Sequence, residues 1–175
     1  MKNRIITGRV RLVRNNLRQP DAAKYYVELL VSKDDAATVS AIDAAVEAAA
    51  EKGEKKFGDM FPQRDQLLLP LRDGDTEKDD PVYKGYFFLR ASTLYTPEIV
   101  DSQAQPVQDR TALYSGSEAR VSLRFYPFAK EAAEGQETVC GIAAELGNIQ
   151  LLEGGRRIYP RIRAAQEFSK LEQSA

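Results

Sequence analysis

The chain contains no histidine, no tryptophan and one cysteine, Cys140. Without histidine the commonest general base is missing, and with it the Ser-His and Cys-His nucleophile pairs. One cysteine cannot form an internal disulfide, and with no histidine beside it the donors of a structural zinc site are lacking. Carboxylates remain as ligands for magnesium or calcium, so these absences narrow catalysis without closing it. There is no long uncharged apolar run of the length that spans a bilayer. The opening MKNRIITGRVRLVRN has no continuous apolar stretch of the kind a secretory signal needs. The expectation is a protein of a reducing cytoplasm, with no membrane partner and no cofactor.

What is present is charge, unevenly placed. Residues 1–33 carry eight basic against two acidic residues, residues 34–110 nine against sixteen, and residues 111–175 eight of each. A basic start beside an acidic middle predicts one cationic surface on a nearly neutral molecule. A length of 175 residues suits one domain with its own core and an appended tail.

The clearest pattern is YSGSEARVSLRFYPF, residues 114–128. Ala119, Val121, Leu123 and Phe125 alternate with Arg120, Ser122, Arg124, Tyr126 and Phe128, the period of a strand. One face is expected to be core. The other sets two guanidinium groups beside two rings, a surface on which bases stack while cations follow phosphates. The competing reading covers Tyr126 and Phe128 with another protein layer.

Four further strands are predicted. Residues 5–14 place Val10 and Leu12 on one face, with Arg9, Arg11 and Val13 on the other. Residues 24–32 alternate Tyr25, Val27, Leu29 and Val31 with Lys24, Tyr26, Glu28 and Leu30. In residues 83–92, Tyr86, Phe88 and Arg90 oppose Phe87, Leu89 and Ala91; residues 139–152 bend at Gly141 or Gly147. Residues 34–52 predict a helix capped by Asp34 or Asp35, with Val39, Ile42, Val46 and Ala49 as its apolar stripe and Gly53 as its stop. Residues 53–82 read as irregular with a short buried LLLPL at 67–71, residues 93–112 as a loop, and residues 129–137 as a flexible hairpin connection. The resulting fold is mainly β: a β-barrel of the OB type with one amphipathic helix and long loops. Residues 1–155 form the domain and residues 156–175 a tail with a short helix.

The candidate binding residues are Arg120, Arg124, Tyr126 and Phe128 with Arg9 and Arg11, followed by Lys24, Tyr26, Tyr86, Phe88 and Arg90. For each arginine the alternative is a solvated charge, and for each ring core packing.

Six segments in order carry a resemblance: TGRVRL at 7–12, KYYVELLVSKDD at 24–35, LPLRDGD at 69–75, DDPVYKGYFFLRAS at 79–92, YSGSEARVSLRFYPF, and GIAAELGNIQLLEGG at 141–155. Together they resemble a family of bacteriophage and prophage single-stranded DNA-binding proteins. The resemblance implies an OB-fold and sequence-independent binding of single-stranded DNA in phage replication or recombination. Replication or recombination proteins are the further partners it implies; a homo-oligomer is left open. No site is carried onto Ser117 or Glu118. An acidic tail, common among such proteins, is not evident: from Glu153 onward five basic residues face three acidic ones.

Two other functions are kept in view. Asp73, Asp75, Glu77, Asp79 and Asp80 could hold a metal for phosphodiester hydrolysis, although their spacing does not match an EF-hand. A solvated acidic loop that repels DNA is the simpler reading. The third is a phage interaction module whose aromatics meet another protein chain.

Overall fold

The computed structural model describes residues 2–19, 21–131, 134–135, 137–159 and 162–172. Parts of the predicted 129–137 connection and of the 156–175 tail therefore lie outside the described residues.

One sheet of eight strands dominates. In chain order come β1 (Arg4–Ile6), β2 (Val10–Asn15), β3 (Tyr25–Ser32), helix α1 (Ala36–Phe57), β4 (Leu71–Asp73), the one-turn helix α2 (Gly74–Glu77), β5 (Tyr86–Thr93), β6 (Ile99–Val100), β7 (Glu118–Lys130), β8 (Val139–Leu152) and the one-turn helix α3 (Ala164–Glu167). β2 pairs with β3, β3 with β5, β5 with β8, β8 with β7, and β7 again with β2, so five strands form a closed circuit of neighbours. All these pairings are antiparallel except β5 with β8. The fold is mainly β and OB-fold-like, with one main helix and loops.

The period-two pattern sets the layers. Val121 and Phe125 on β7 are fully buried, as are Val27, Leu29 and Val31 on β3, Leu89 and Ala91 on β5, and Leu12 on β2. Helix α1 closes this core with Ile42, Ala45, Val46 and Ala49. A second, smaller cluster lies on the outer side of the sheet, where Val13, Leu30, Tyr83 and Phe88 pack together.

Four expectations need correction. Residues 5–14 are two strands, β1 and β2, both hydrogen-bonded to β7. Between them the Gly8 N–H turns to the Thr38 hydroxyl of α1, 2.9 Å away, and leaves the ladder. The helix does not stop at Gly53 but runs to Phe57, where Gly58 at φ +63° donates back to Glu54. Gly53 serves close approach instead: a Cβ there would come within 2.4 Å of the Phe61 ring. The LLLPL segment is only partly buried. Leu67 is inside, but Leu68 is 59 % exposed, because its backbone is stitched to Cys140 and Ile142 of β8 while its side chain stays out. The 93–112 loop contains the short strand β6, which pairs with β8. The expected irregularity in β8 falls beside Gly147, where the β7–β8 register shifts between Val121 and Leu123.

Candidate nucleic-acid interface

The outer face of β3, β5, β8 and β7 forms the floor of an open groove of about 1180 Å³. At its centre the Arg90 guanidinium lies over the Tyr26 ring, 4.0 Å from the ring centroid. The stack follows from register: Tyr26 stands opposite Ser92 and Glu28 opposite Arg90, so the long arginine reaches one diagonal step across the pair. Asn16 holds the segment in place. Its carbonyl oxygen accepts from the Tyr26 N–H at 2.8 Å, and its amide donates to the Lys24 carbonyl at 2.8 Å. Lys24 is left exposed at the rim.

Phe88 forms the next part of the floor. It is 6 % exposed and packs edge-on against Tyr83, with centroids 5.6 Å apart. Lys78 Nζ stands 4.9 Å above its ring and the Arg72 guanidinium 5.6 Å. Tyr126 lines the same groove from β7, with Ala143 opposite it on β8. Rings with cations above them therefore recur along one surface, an arrangement strengthened wherever water is displaced.

Carboxylates also line the groove, but each is engaged by the protein. Glu28 is buried and accepts from the Tyr83 hydroxyl. Burial, and then this hydrogen bond, push the Tyr83 hydroxyl well above the ordinary phenol range, so it stays a donor. Lys33 bridges Asp73 at 2.7 Å and Asp75 at 2.6 Å, and its hydrogen bonds hold both below the usual carboxylate range. Arg72 donates through Nε to Glu77 at 2.9 Å, and Asp80 caps the turn at Val82 while accepting from Tyr159. Asp73, Asp75, Glu77 and Asp80 of the acidic cluster thus serve as caps and ion-pair partners. Among the described residues no group of three or more acidic or cysteine side chains is placed to hold a metal, and the phosphodiesterase alternative has no support here.

A second cavity of about 1020 Å³ adjoins the first, with Asn16 and Tyr26 common to both. Arg14, Arg18, Tyr114, Arg157, Tyr159 and Arg163 line it.

The structure brings together Lys24, Tyr26, Phe88, Arg90 and Tyr126. It leaves the other candidates outside the groove lining. Arg9 forms an ion pair with Glu118, and Arg11 donates to the Arg156 carbonyl at 2.9 Å. Arg120, exposed, donates to the Thr7 carbonyl at 3.3 Å. Arg124 pairs with Glu145 through Nε at 2.5 Å, with its guanidinium 5.5 Å from the Tyr126 centroid. Tyr86 packs on the second apolar cluster. Phe128 lies over the backbone of Gly141, where a Cβ would meet its ring at 2.8 Å. Arg72 and Lys78 were not among the sequence candidates. Their signal was the acidic company they keep: a cation amid five carboxylates reads as a solvated pair until the Phe88 ring is placed beneath it.

The fold and the groove define an OB-fold-like protein with a cationic, ring-bearing sheet face. The family model described as Enterobacter phage Enc34, ssDNA-binding protein, matches residues 3–175, and the chain belongs to that family. Two solved structures of the single-stranded DNA-binding protein from bacteriophage Enc34 are similar in fold. The one in complex with ssDNA has a TM-score of 0.73 at 20 % identity over 90 % of each chain. The C-terminal truncation has 0.72 at 21 % over 89 % of each. Gp2.5, a single-stranded DNA-binding protein encoded by bacteriophage T7, has 0.67 at 14 % over 98 % of each. No curated protein matches the chain.

Proposed function

We propose that the chain binds single-stranded DNA without sequence preference along the groove of Lys24, Tyr26, Arg72, Lys78, Phe88, Arg90 and Tyr126. It does so as a non-enzymatic protein of phage DNA replication or recombination, in the bacterial cytoplasm. The observation that carries this is the Arg90–Tyr26 stack at 4.0 Å, continued by the cations over Phe88. A ring face accepts any base, and cations neutralise any phosphate, so the surface suits strand recognition rather than base-edge reading. Membership of a phage single-stranded DNA-binding family supports the same reading. Residues 1–155 carry the binding domain and residues 156–175 form an appended segment; replication or recombination proteins are the further partners.

The test is a titration of labelled oligo-dT, with duplex of the same length as control, at two salt concentrations. Preference for the single strand and an affinity that falls steeply with salt are expected. Equal affinity for duplex, or an affinity indifferent to salt, would overturn the proposal.

A further inference from the structure

The segment after β8 crosses back over the domain and is fixed there by hydrogen bonds at four of the five residues from Gly155 to Tyr159. Tyr114 donates its hydroxyl hydrogen to the Gly155 carbonyl, and Arg11 donates to the Arg156 carbonyl at 2.9 Å. The Ile158 N–H donates to Ser115 at 3.0 Å, and the Tyr159 hydroxyl donates to Asp80 at 2.8 Å. Ile158 packs on the apolar cluster that underlies Phe88. Gly116 makes the crossing possible: at φ +107°, a Cβ there would stand 2.0 Å from the Arg156 carbonyl oxygen. This strap carries the Arg157 guanidinium to 4.3 Å from the Tyr114 centroid. The geometry repeats the Arg90–Tyr26 stack, at 4.0 Å, on the other side of the shared Tyr26. Among the described residues no carboxylate lines the cavity between strap and sheet, whereas Arg14, Arg18, Arg157 and Arg163 do.

We propose that the strap Gly155–Tyr159 is a second single-stranded DNA subsite. A strand leaving Tyr26 continues into the cavity of Arg14 and Arg157, with Tyr114 and Tyr159 as its ring surfaces; Arg18, in the same lining, is held by the Thr111 and Leu113 carbonyls. This rests on the groove being the DNA site. The charge of the lining points to a polyanion, and the second cation-over-ring unit points to a stacked single strand rather than a duplex. The strap adds affinity; it does not occlude the groove.

The discriminating measurement uses two lengths of oligo-dT, about 4 and about 16 nucleotides, the range of site sizes of one OB-fold. The proteins are the full chain, Arg157→Ala/Tyr159→Ala and Tyr26→Ala/Arg90→Ala, each checked by thermal melting. The strap variant is expected to lose about tenfold in affinity for the long oligonucleotide and little for the short one. Arg157→Ala alone, a change at an exposed side chain, lowers the slope of log K against log salt by about 0.7, as removal of one single-strand phosphate contact requires. Unchanged or tighter binding of the long oligonucleotide by both strap variants would overturn the subsite while leaving the groove standing. If the full chain binds neither oligonucleotide, or Tyr26→Ala/Arg90→Ala binds both as the full chain does, the groove reading fails and the subsite with it.

Discussion

Two cationic regions of this molecule look alike in sequence and differ in the fold. On the edge formed by β1, β2 and β7, the guanidinium groups of Arg9, Arg11, Arg120 and Arg124 are spent on Glu118, the Arg156 carbonyl, the Thr7 carbonyl and Glu145. In the groove, Arg90 and Lys78 lie over Tyr26 and Phe88 and Lys24 is open to solvent, while Arg72, also over Phe88, is held by Glu77. An exposed arginine held by a carboxylate must give up that partner to take a phosphate, so part of the gain is cancelled. An arginine lying on a ring keeps its edge donors and offers a second surface for a base. What separates a candidate DNA surface from a merely charged one is therefore which groups the cations already touch.

The comparison can be sharpened or broken by substitution. The largest effect on folding is expected at Phe125→Ala, inside the sheet: about 3–5 kcal/mol of stability, read by denaturant unfolding. Protein that remains folded should bind DNA as before, because the ring points away from the groove. Tyr26→Ala/Arg90→Ala is expected to cost about 2–4 kcal/mol of DNA affinity, one stacked ring and one cation, with the melting temperature little changed. Arg120→Ala/Arg124→Ala should cost less than about 1 kcal/mol of affinity, since Arg124 is already paired and Arg120 is outside the groove lining. A loss as large as that of the groove pair would erase the distinction between the two regions.

The smallest effect concerns pH. The Lys33 hydrogen bonds hold the pKa values of Asp73 and Asp75 below the usual carboxylate range. Folded carboxylates with depressed pKa contribute stability that is present above their unfolded pKa and is lost as pH falls through the folded value. The turn at Asp73–Asp75 should thus hold at neutral pH and loosen only below about pH 4. Amide exchange at Gly85, which donates to Asp75 at 3.0 Å, reports this. Loosening near neutral pH would show that Lys33 does not secure the groove wall.

Most of the sheet was legible because its signal is local. The alternation of Ala119 to Phe125 is a property of adjacent residues, and it placed the buried face of β7 correctly. The helix start was legible to within Asp34 or Asp35 for the same reason; the cap is Asp35, three residues before the Thr38 N–H it accepts from. The helix end was not, because the reason for Gly53 is a ring eight residues on that folds back over it. The candidate site was legible only in part. Lys24, Tyr26, Phe88, Arg90 and Tyr126 stood out as cations and rings on strands. The occupants of the edge arginines did not, because Arg9 and Glu118 are 109 positions apart and Arg124 and Glu145 are joined only by the β7–β8 register. The wall of Arg72 and Lys78 was not legible, because in sequence both stand among carboxylates and the Phe88 ring beneath them is brought there only by the fold.

The most direct measurement is the oligo-dT affinity of Tyr26→Ala/Arg90→Ala beside that of Arg120→Ala/Arg124→Ala, at two salt concentrations. The groove account predicts a loss of roughly thirtyfold or more for the first pair and at most about fivefold for the second, at the same melting temperature. The reverse order, with the β7 pair the more damaging, would contradict it.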